Sequence, residues 1–186
     1  MNETIKHILA RRSIRAFKEE QIKDSDLESI LECGKFAASA NNLQPWDFTV
    51  IQNAGLIDWI SDENKALMLS SNNERYINWA SQPNFHIFHH APTVIIVSGD
   101  ENNPLAKGDC ANATQNMAVA AYSLGLGSCY IASFTQIFNS PKGKEYIEEL
   151  GIPAGYKPYF SLAIGYQAGE NPTAPPRKEN SVHTIK

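Results

Sequence analysis

The chain of 186 residues is poor in cysteine and has no long apolar run. Its three cysteines, Cys33, Cys110 and Cys129, show no CxxC spacing, and this pattern fits neither a disulfide framework nor a structural zinc site. No apolar stretch approaches the roughly 20 residues that span a membrane, and the N-terminus lacks the pattern of a signal peptide. The sequence therefore predicts a cytoplasmic protein with reduced thiols and no membrane partner.

Charged residues are also scarce. They make up 19% of the chain, below the roughly 25% of an average domain, and the formal net charge is −4. These values exclude a broad basic surface for nucleic acid. The basic residues that stand out form one local cluster, Arg11-Arg12-Ser13-Ile14-Arg15. Arginine forks fit phosphate oxygens in pairs, so the cluster can bind a small anion, although such a cluster taken alone is more typical of a solvated turn.

The sequence shows no catalytic triad, carboxylate pair or metal shell. Gly125-Leu126-Gly127 lacks the third glycine of a dinucleotide fingerprint and closes a helix instead of opening one. His86, His89 and His90 alternate with apolar residues and have no carboxylate or cysteine nearby in the sequence, which favours a partly buried amphipathic segment over a metal site. We interpret Cys129 as a core residue. Two alternatives remain: a binding module, or an enzyme whose cofactor performs the chemistry.

The hydrophobic pattern predicts helices and strands in loose alternation, which indicates an α+β class with one central sheet. Ser25 and Glu28 form a capping box for the second helix, and Pro141 fits the first position of the last helix. Residues 70–84 are interpreted as a polar loop, and the proline-rich tail from Gly169 has no regular period. The helices are predicted at 2–12, 25–38, 54–69, 106–124 and 141–150, and the strands near 48–50, 93–97, 128–132 and 159–166.

Four segments together resemble the nitroreductase family of FMN-dependent oxidoreductases, in the family's order and spacing. Each segment is short, but the ordered set is specific and covers nearly the whole chain. Ala91-Pro92 before the apolar run at 93–97 also fits the family. The four segments are 11–17, 39–46, 125–131, and 164–166 with Arg177-Lys178 downstream.

The resemblance implies a nitroreductase-like α+β sandwich with a central, mainly antiparallel sheet flanked by helices, and a single FMN-binding domain over 1–186. It also implies an intertwined homodimer with FMN at the interface and NAD(P)H as electron donor. The tail, 169–186, is then expected to pack on the partner subunit. Such a protein would take a hydride from NAD(P)H and reduce small-molecule acceptors such as nitroaromatics or quinones by a ping-pong mechanism.

The resemblance assigns the basic cluster to the cofactor. Arg11, Arg12 and Ser13 would hold the flavin phosphate, together with Arg177 from the tail. Arg15 would lie toward the pyrimidine edge of the ring. A fixed cation there stabilises the reduced state and raises the potential.

Other cofactor contacts are implied from loops. No side chain is assigned as catalytic and no metal is expected, because FMN carries the chemistry. The second subunit would contribute Ser39, Asn42 and Gln44, and Asn84 would lie at the ring edge. One ring face would be covered through the backbone of Tyr130, Ile131, Ala132 and Ser133.

Two departures from the family pattern bear on the flavin potential. Ala132 and Ser133 stand where many relatives have glycine, and Ile87 stands where many carry a second cation. The region over 54–84 is where the family varies most, so substrate identity does not transfer. Two alternatives stay open: a flavin-binding electron carrier or redox sensor with little turnover, and a specialised reductase of the family that dehalogenates or reduces activated alkenes.

Overall fold

The computed structural model describes residues 1–186 and contains six α-helices and four β-strands. The helices are α1 (Glu3–Ala10), α2 (Asp24–Lys35), α3 (Ala54–Leu69), α4 (Glu74–Ala80), α5 (Ala106–Ser123) and α6 (Gly143–Glu149). The strands are β1 (Trp46–Ile51), β2 (Thr93–Asp100), β3 (Gly127–Ile131) and β4 (Tyr156–Gly165). Two short 3₁₀ segments cover Ala40–Asn42 and Ser133–Asn139. None of the helices has the length and hydropathy needed to cross a membrane.

The strands form one antiparallel sheet in the order β1-β2-β4-β3. β2 lies inside the sheet and pairs along its length with both neighbours, so that Thr93 stands opposite Ile164 and Asp100 opposite Tyr156. The residues from 94 to 97 are fully buried. The β-branched run over 93–97 predicts a strand buried on both faces, and this prediction is confirmed.

Successive side chains of β2 point to opposite sides of the sheet and so supply two separate cores. Val94 and Ile96 pack in a core with residues of α3 and with Phe134 of the 3₁₀ segment after β3. Ile95 and Val97 pack in a second core with residues of α2 and α5. Each fully buried side chain of this size stabilises the fold by roughly 1.5–3 kcal/mol. The predicted α+β sandwich, with helices on both faces of an antiparallel sheet, is therefore confirmed.

Small residues let α5 approach α2 closely. A Cβ atom on Gly34 of α2 would lie 2.9 Å from Cγ of Met117, so this position has room only for glycine unless Met117 moves. Ala113, Met117 and Ala121 are buried on the inner face of α5, as their spacing predicts. Leu124 follows the end of α5 and is 40% exposed.

The prediction of a loop over 70–84 is wrong, because this segment contains α4. The side chain of Asn73 accepts hydrogen bonds from the backbone N–H groups of Arg75 and Tyr76 and so caps the helix. Trp79 packs against the core, and its ring meets that of Phe85 edge to face, with 5.1 Å between the ring centroids. A helix of seven residues is too short to show a clear apolar period in a polar sequence.

Two predicted helix starts are also wrong. α2 begins at Asp24 with Lys23 at its N-cap and no side-chain cap, so Ser25 and Glu28 both lie within the helix and form no capping box. α6 begins at Gly143, two residues after the expected Pro141, because residues 140–142 form a separate turn in which the Gly143 N–H donates to the Ser140 carbonyl at 2.9 Å. Sequence patterns of this kind locate a helix end only to within one or two residues.

The segment after α1 is fixed to the edge of the sheet. Ser13 forms a parallel bridge with Ser128 of β3, and the Ile14 N–H donates to the Ser128 carbonyl at 2.9 Å. Ile14 is buried against Gly127, where an added Cβ would lie 3.0 Å from its side chain. The arginines on both sides of Ile14 are therefore held at one end of the sheet.

The tail leaves the sheet beside the same segment. Phe17 pairs with Gln167, and the N–H of Ala168 donates to the Ala16 carbonyl at 2.9 Å. Beyond Gly169 the tail forms no helix or strand, and its apolar residues Val182 and Ile185 are 81% and 99% exposed. The packing of the tail on a partner subunit stays a prediction.

An apolar surface on the α1–α2 side is not covered by the chain itself. The apolar residues of α1 point outward, and none of its residues is buried. We call this set the exposed apolar surface. It consists of Ile5, Ile8, Leu9, Phe36 and Leu43, between 45% and 79% exposed.

Candidate functional site

The basic cluster and the tail enclose a cavity of about 350 Å³. Arg11, Arg12, Ser13 and Arg177 line it, so the structure brings together all four residues that the sequence predicts at the flavin phosphate. Arg15, which is predicted at the pyrimidine edge of the ring, lines it as well. No acidic residue lines it. We call it the arginine pocket, and its other lining residues are Pro172, Thr173 and Pro175.

Two arginines of this pocket carry buried donors without partners. The Nε atoms of Arg11 and Arg12 are buried and make no hydrogen bond. Nη1 of Arg12 donates to the carbonyls of Leu9 and Arg11 at 2.8 Å and so caps the end of α1, whereas the Arg11 guanidinium makes no hydrogen bond. An unpaired buried donor is costly, and an oxyanion removes this cost. The arginine pocket thus fits a phosphate group.

A larger cavity of about 730 Å³ adjoins the arginine pocket, with Arg15 in the wall of both. Three elements form its remaining walls: the turn after β3, helix α4 and the turn before β2. We call it the α4 pocket. Besides Arg15, it is lined by Asn73, Arg75, Tyr76, Trp79, His89, Ala132, Ser133, Thr135 and Gln136.

The end of β3 determines which predicted residues reach the α4 pocket. Tyr130 packs against Phe160 at a ring distance of 5.0 Å, and burial raises the pKa of its hydroxyl to about 12. Ile131 points to the opposite core. Of the four residues predicted here to cover the ring, only Ala132 and Ser133 line the pocket. The first backbone N–H groups of a helical turn have no partner within the turn, so this wall offers donors to a ligand.

A buried histidine shapes the turn before β2. Nδ1 of His86 accepts hydrogen bonds from the backbone N–H groups of Phe88 and His90, at 3.2 and 3.0 Å. Its Nε2 lies 3.2 Å from a carboxylate oxygen of Asp58. These bonds hold His89 and His90 at φ angles of 56° and 55°, in the left-handed region that residues other than glycine rarely adopt. The turn brings His89 into the α4 pocket.

Asp58, His86 and His90 form the cluster that most resembles a metal site. Ligand atoms of Asp58, His86 and His90 lie within 4.8 Å of one another, because α3 supplies a carboxylate that is remote in the sequence. A histidine that binds a metal normally donates its other ring N–H to an acceptor. Nδ1 of His86 instead accepts two N–H groups, so Nε2 carries the proton and donates it to Asp58. The group is a hydrogen-bonded structural pair, and the interpretation as a partly buried amphipathic segment agrees with it.

His89 is a pocket residue that the sequence analysis did not assign. Burial, together with the neighbouring Arg15, His86 and His90, lowers the pKa of His89 to about 4. At neutral pH it is an uncharged hydrogen-bonding group. Ile87, which stands at the family's cation position, is fully buried in the core and does not line the pocket. The one sequence signal for His89 was the histidine-rich run itself.

The loop with Ser39, Asn42 and Gln44 lies apart from both pockets. Its side chains bond to the loop itself: the Ser39 hydroxyl accepts from the Gln44 N–H at 3.0 Å, and the Gln44 amide donates to Asn42 at 3.1 Å. Asn41, Asn42 and Gln44 have φ angles between 48° and 55°. Such strained conformations persist where the surroundings enforce them, often at functional sites. The contact of this loop with a cofactor of the second subunit stays a prediction.

Asn84 is exposed in the turn that follows α4 and lines neither pocket. Within one chain the structure thus gathers part of the predicted set. Outside the two pockets lie Ser39, Asn42, Gln44, Asn84, Tyr130 and Ile131. The pockets add Arg75, Tyr76, Trp79, His89 and Gln136, which the sequence analysis did not assign.

Comparison with known proteins gives consistent matches. The sequence profile of the Nitroreductase family matches residues 8–166. The chain is 30% identical to the NADPH-flavin oxidoreductase of Vibrio harveyi, covering 95% of this chain and 70% of that protein. A crystal structure of a nitroreductase with bound FMN from Bacteroides fragilis has a TM-score of 0.93 and 32% identity, covering 100% of both chains. An FMN-dependent nitroreductase from Clostridium difficile has a TM-score of 0.85 and 33% identity, covering 98% of this chain and 99% of that one.

An antiparallel sheet between two helical layers, with an anion cavity beside a larger aromatic-walled one, places the protein among the nitroreductase-fold oxidoreductases. The profile match covers well over half of the sequence. The chain belongs to the Nitroreductase family, which confirms the resemblance found in its motifs.

The lowered pKa of His89 predicts an acid-dependent loss of stability. The folded chain holds this imidazole neutral, so on acidification the unfolded chain binds more protons, and stability falls as the pH drops from 6.5 toward about 4. His89→Gln removes this proton uptake. We expect its free energy of unfolding, measured by urea titration across that range, to fall less steeply than that of the unsubstituted protein. His183→Gln in the exposed tail is the control, and equal slopes for H89Q and H183Q would contradict the assignment.

Proposed function

We propose that the protein is an FMN-dependent oxidoreductase that takes a hydride from NAD(P)H and reduces small acceptors such as nitroaromatics or quinones. The observation that carries this proposal is the pair of adjoining cavities that share Arg15. One suits a phosphate, and the other is large enough and aromatic enough for a planar ring. Three similar proteins support the same assignment: the NADPH-flavin oxidoreductase of V. harveyi, the B. fragilis nitroreductase with bound FMN, and the FMN-dependent nitroreductase of C. difficile.

The residues present fit FMN. The free guanidinium of Arg11 and the unpaired Nε of Arg12 would hold the phosphate, with Ser13 and Arg177 as further donors. Arg15, in the wall shared with the α4 pocket, would add positive charge at the ring end, which favours electron uptake. With Ile87 buried in the core, no second cation comes from the position where many relatives have one.

When bound, FMN supplies the hydride chemistry between NAD(P)H and the acceptor. The chain supplies binding and orientation. The wall formed by Ala132 and Ser133 offers backbone N–H donors, and the rings of Tyr76 and Trp79 on α4 provide an apolar face for a planar ligand. Because one α4 pocket would serve donor and acceptor in turn, the two would bind alternately, as in a ping-pong mechanism.

A homodimer is part of the proposal. The exposed apolar surface and the apolar residues of the tail are left uncovered by the chain itself, and burial in a partner would remove them from water. In such a dimer the strained loop with Ser39, Asn42 and Gln44 would complete the site of the other subunit.

The absorbance spectrum tests the flavoenzyme assignment. The purified protein should carry FMN and show bands in the near-ultraviolet and blue. Under anaerobic conditions NADH or NADPH should bleach these bands quickly, and a nitroaromatic or a quinone should restore them.

Other outcomes of this experiment point elsewhere. Bands that dithionite bleaches, but neither nicotinamide does, would favour the electron carrier or redox sensor. Restoration by a halogenated aromatic or an activated alkene alone would favour the specialised reductase. A colourless protein that takes up no added FMN would refute every flavin-based reading.

Arg11→Ala tests the phosphate site. The substitution removes a guanidinium with no other hydrogen-bonding role, so FMN should dissociate about 10–100-fold more readily, a loss of roughly 1.5–3 kcal/mol. Fluorescence titration of the apoprotein with FMN measures the Kd. Lys144→Ala removes an exposed cation from a different cavity and should leave the Kd unchanged. Equal affinities for R11A and K144A would show that the phosphate binds elsewhere.

Removal of the tail from Gly169 onward tests the predicted dimer. The truncated chain loses Arg177 and the exposed Val182 and Ile185, so we expect a weaker dimer and loss of FMN together. Sedimentation at several protein concentrations, followed at a flavin wavelength, measures both. A second variant, Arg177→Ala, separates the effects, because it should lower FMN affinity without weakening the dimer. A stable FMN-bound dimer after truncation would contradict the prediction.

A further inference from the structure

The α4 pocket contains a cation that the flavin assignment does not use. We propose that Arg75 binds the anionic group of an aromatic ligand in this pocket, so that aromatic acids are preferred to their neutral analogues. The inference rests on the proposed function, since the ligand would lie in the same pocket as the acceptor. The ligand would have a planar ring and carry a carboxylate or a phosphate.

The charges that line the pocket favour an anion. The ten lining residues include two arginines and no aspartate or glutamate. Arg15 also lines the arginine pocket and is assigned to the cofactor, and His89 is neutral at physiological pH. Arg75 is therefore the cation left for a second ligand.

The guanidinium of Arg75 is uncommitted. It is exposed, forms no ion pair and makes no side-chain hydrogen bond, although Glu74 is its neighbour in the chain. Its backbone, in contrast, is fixed, because its N–H donates to the Asn73 cap of α4 at 3.0 Å. An arginine with a fixed backbone and a free planar fork is suited to bind a carboxylate through two hydrogen bonds.

The neighbouring rings specify the rest of the ligand. Tyr76 and Trp79 line the same pocket and lie one and four positions after Arg75 on α4, so that all three side chains share the helix side that faces the pocket. Trp79 is half-buried and held edge to face by Phe85 at 5.1 Å. A ring packed on these side chains would bring its anionic substituent within the reach of Arg75.

Two sources offer such chemistry: an aromatic acid that accepts electrons, and the phosphate-bearing nicotinamide donor. The test uses oxidised holoprotein and measures the Kd of 4-nitrobenzoate, nitrobenzene and NADP⁺ from changes in flavin absorbance. In Arg75→Gln the Kd of 4-nitrobenzoate should rise about tenfold, while that of nitrobenzene stays unchanged. Arg75→Lys should restore only part of the affinity, because lysine keeps the charge but not the planar fork. Lys144→Gln, in another cavity, should match the unsubstituted protein.

Each outcome decides the proposal. A weaker Kd for 4-nitrobenzoate alone supports Arg75 as an acceptor-binding residue, and a weaker Kd for NADP⁺, alone or as well, supports the same anion site used by the donor. Unchanged affinities for both anions, or an equal loss for nitrobenzene, would overturn it. Turnover is measured separately with both nitro compounds, so that a protein that reduces neither would contradict the proposed function while the Kd values still test Arg75.

Discussion

The hydrogen bond from the Ile14 N–H to the Ser128 carbonyl, at 2.9 Å, is the contact on which the site depends. It attaches a short segment between two helices to the edge strand of the sheet, and burial of Ile14 against Gly127 secures the contact. Arg12 and Arg15, on either side of it, are thereby held apart from the core with their charges toward one cavity. A rigid sheet edge can hold unpaired guanidinium groups, whose cost an anionic ligand then offsets.

The α4 pocket depends on two structural features that the local sequence alone would not favour. His86 uses its Nδ1 as an acceptor for two backbone N–H groups and stabilises a turn in which His89 and His90 adopt left-handed angles. Across the pocket, the Asn73 cap starts a helix of only seven residues. Together they place His89 opposite the side chains of α4. Strain and short helices of this kind are stable only within a packed structure.

Most of the sheet and the phosphate end of the site can be predicted from the sequence. The β-branched run over 93–97 and the Arg11 cluster carry their signal locally, through side-chain type and spacing. Helix α4 and the place of His89 in the pocket cannot be predicted in the same way, because a polar run and a histidine-rich run are each compatible with several structures. Asp58 shows the limit clearly: it lies beside His86 in space but 28 positions away in the chain.

By itself, then, the sequence determined the family, the sandwich class, and the cation type and spacing that suit a phosphate, since all of these follow from short patterns in order along the chain. Only the tertiary structure decided that Arg15 lies in the wall of both cavities, that Ile87 is buried while His89 lines the α4 pocket, and that Arg75 is free. The physical reason is that the role of a side chain depends on whether the backbone directs it into the core, into a cavity or into solvent. That orientation is set by contacts between residues far apart in the chain.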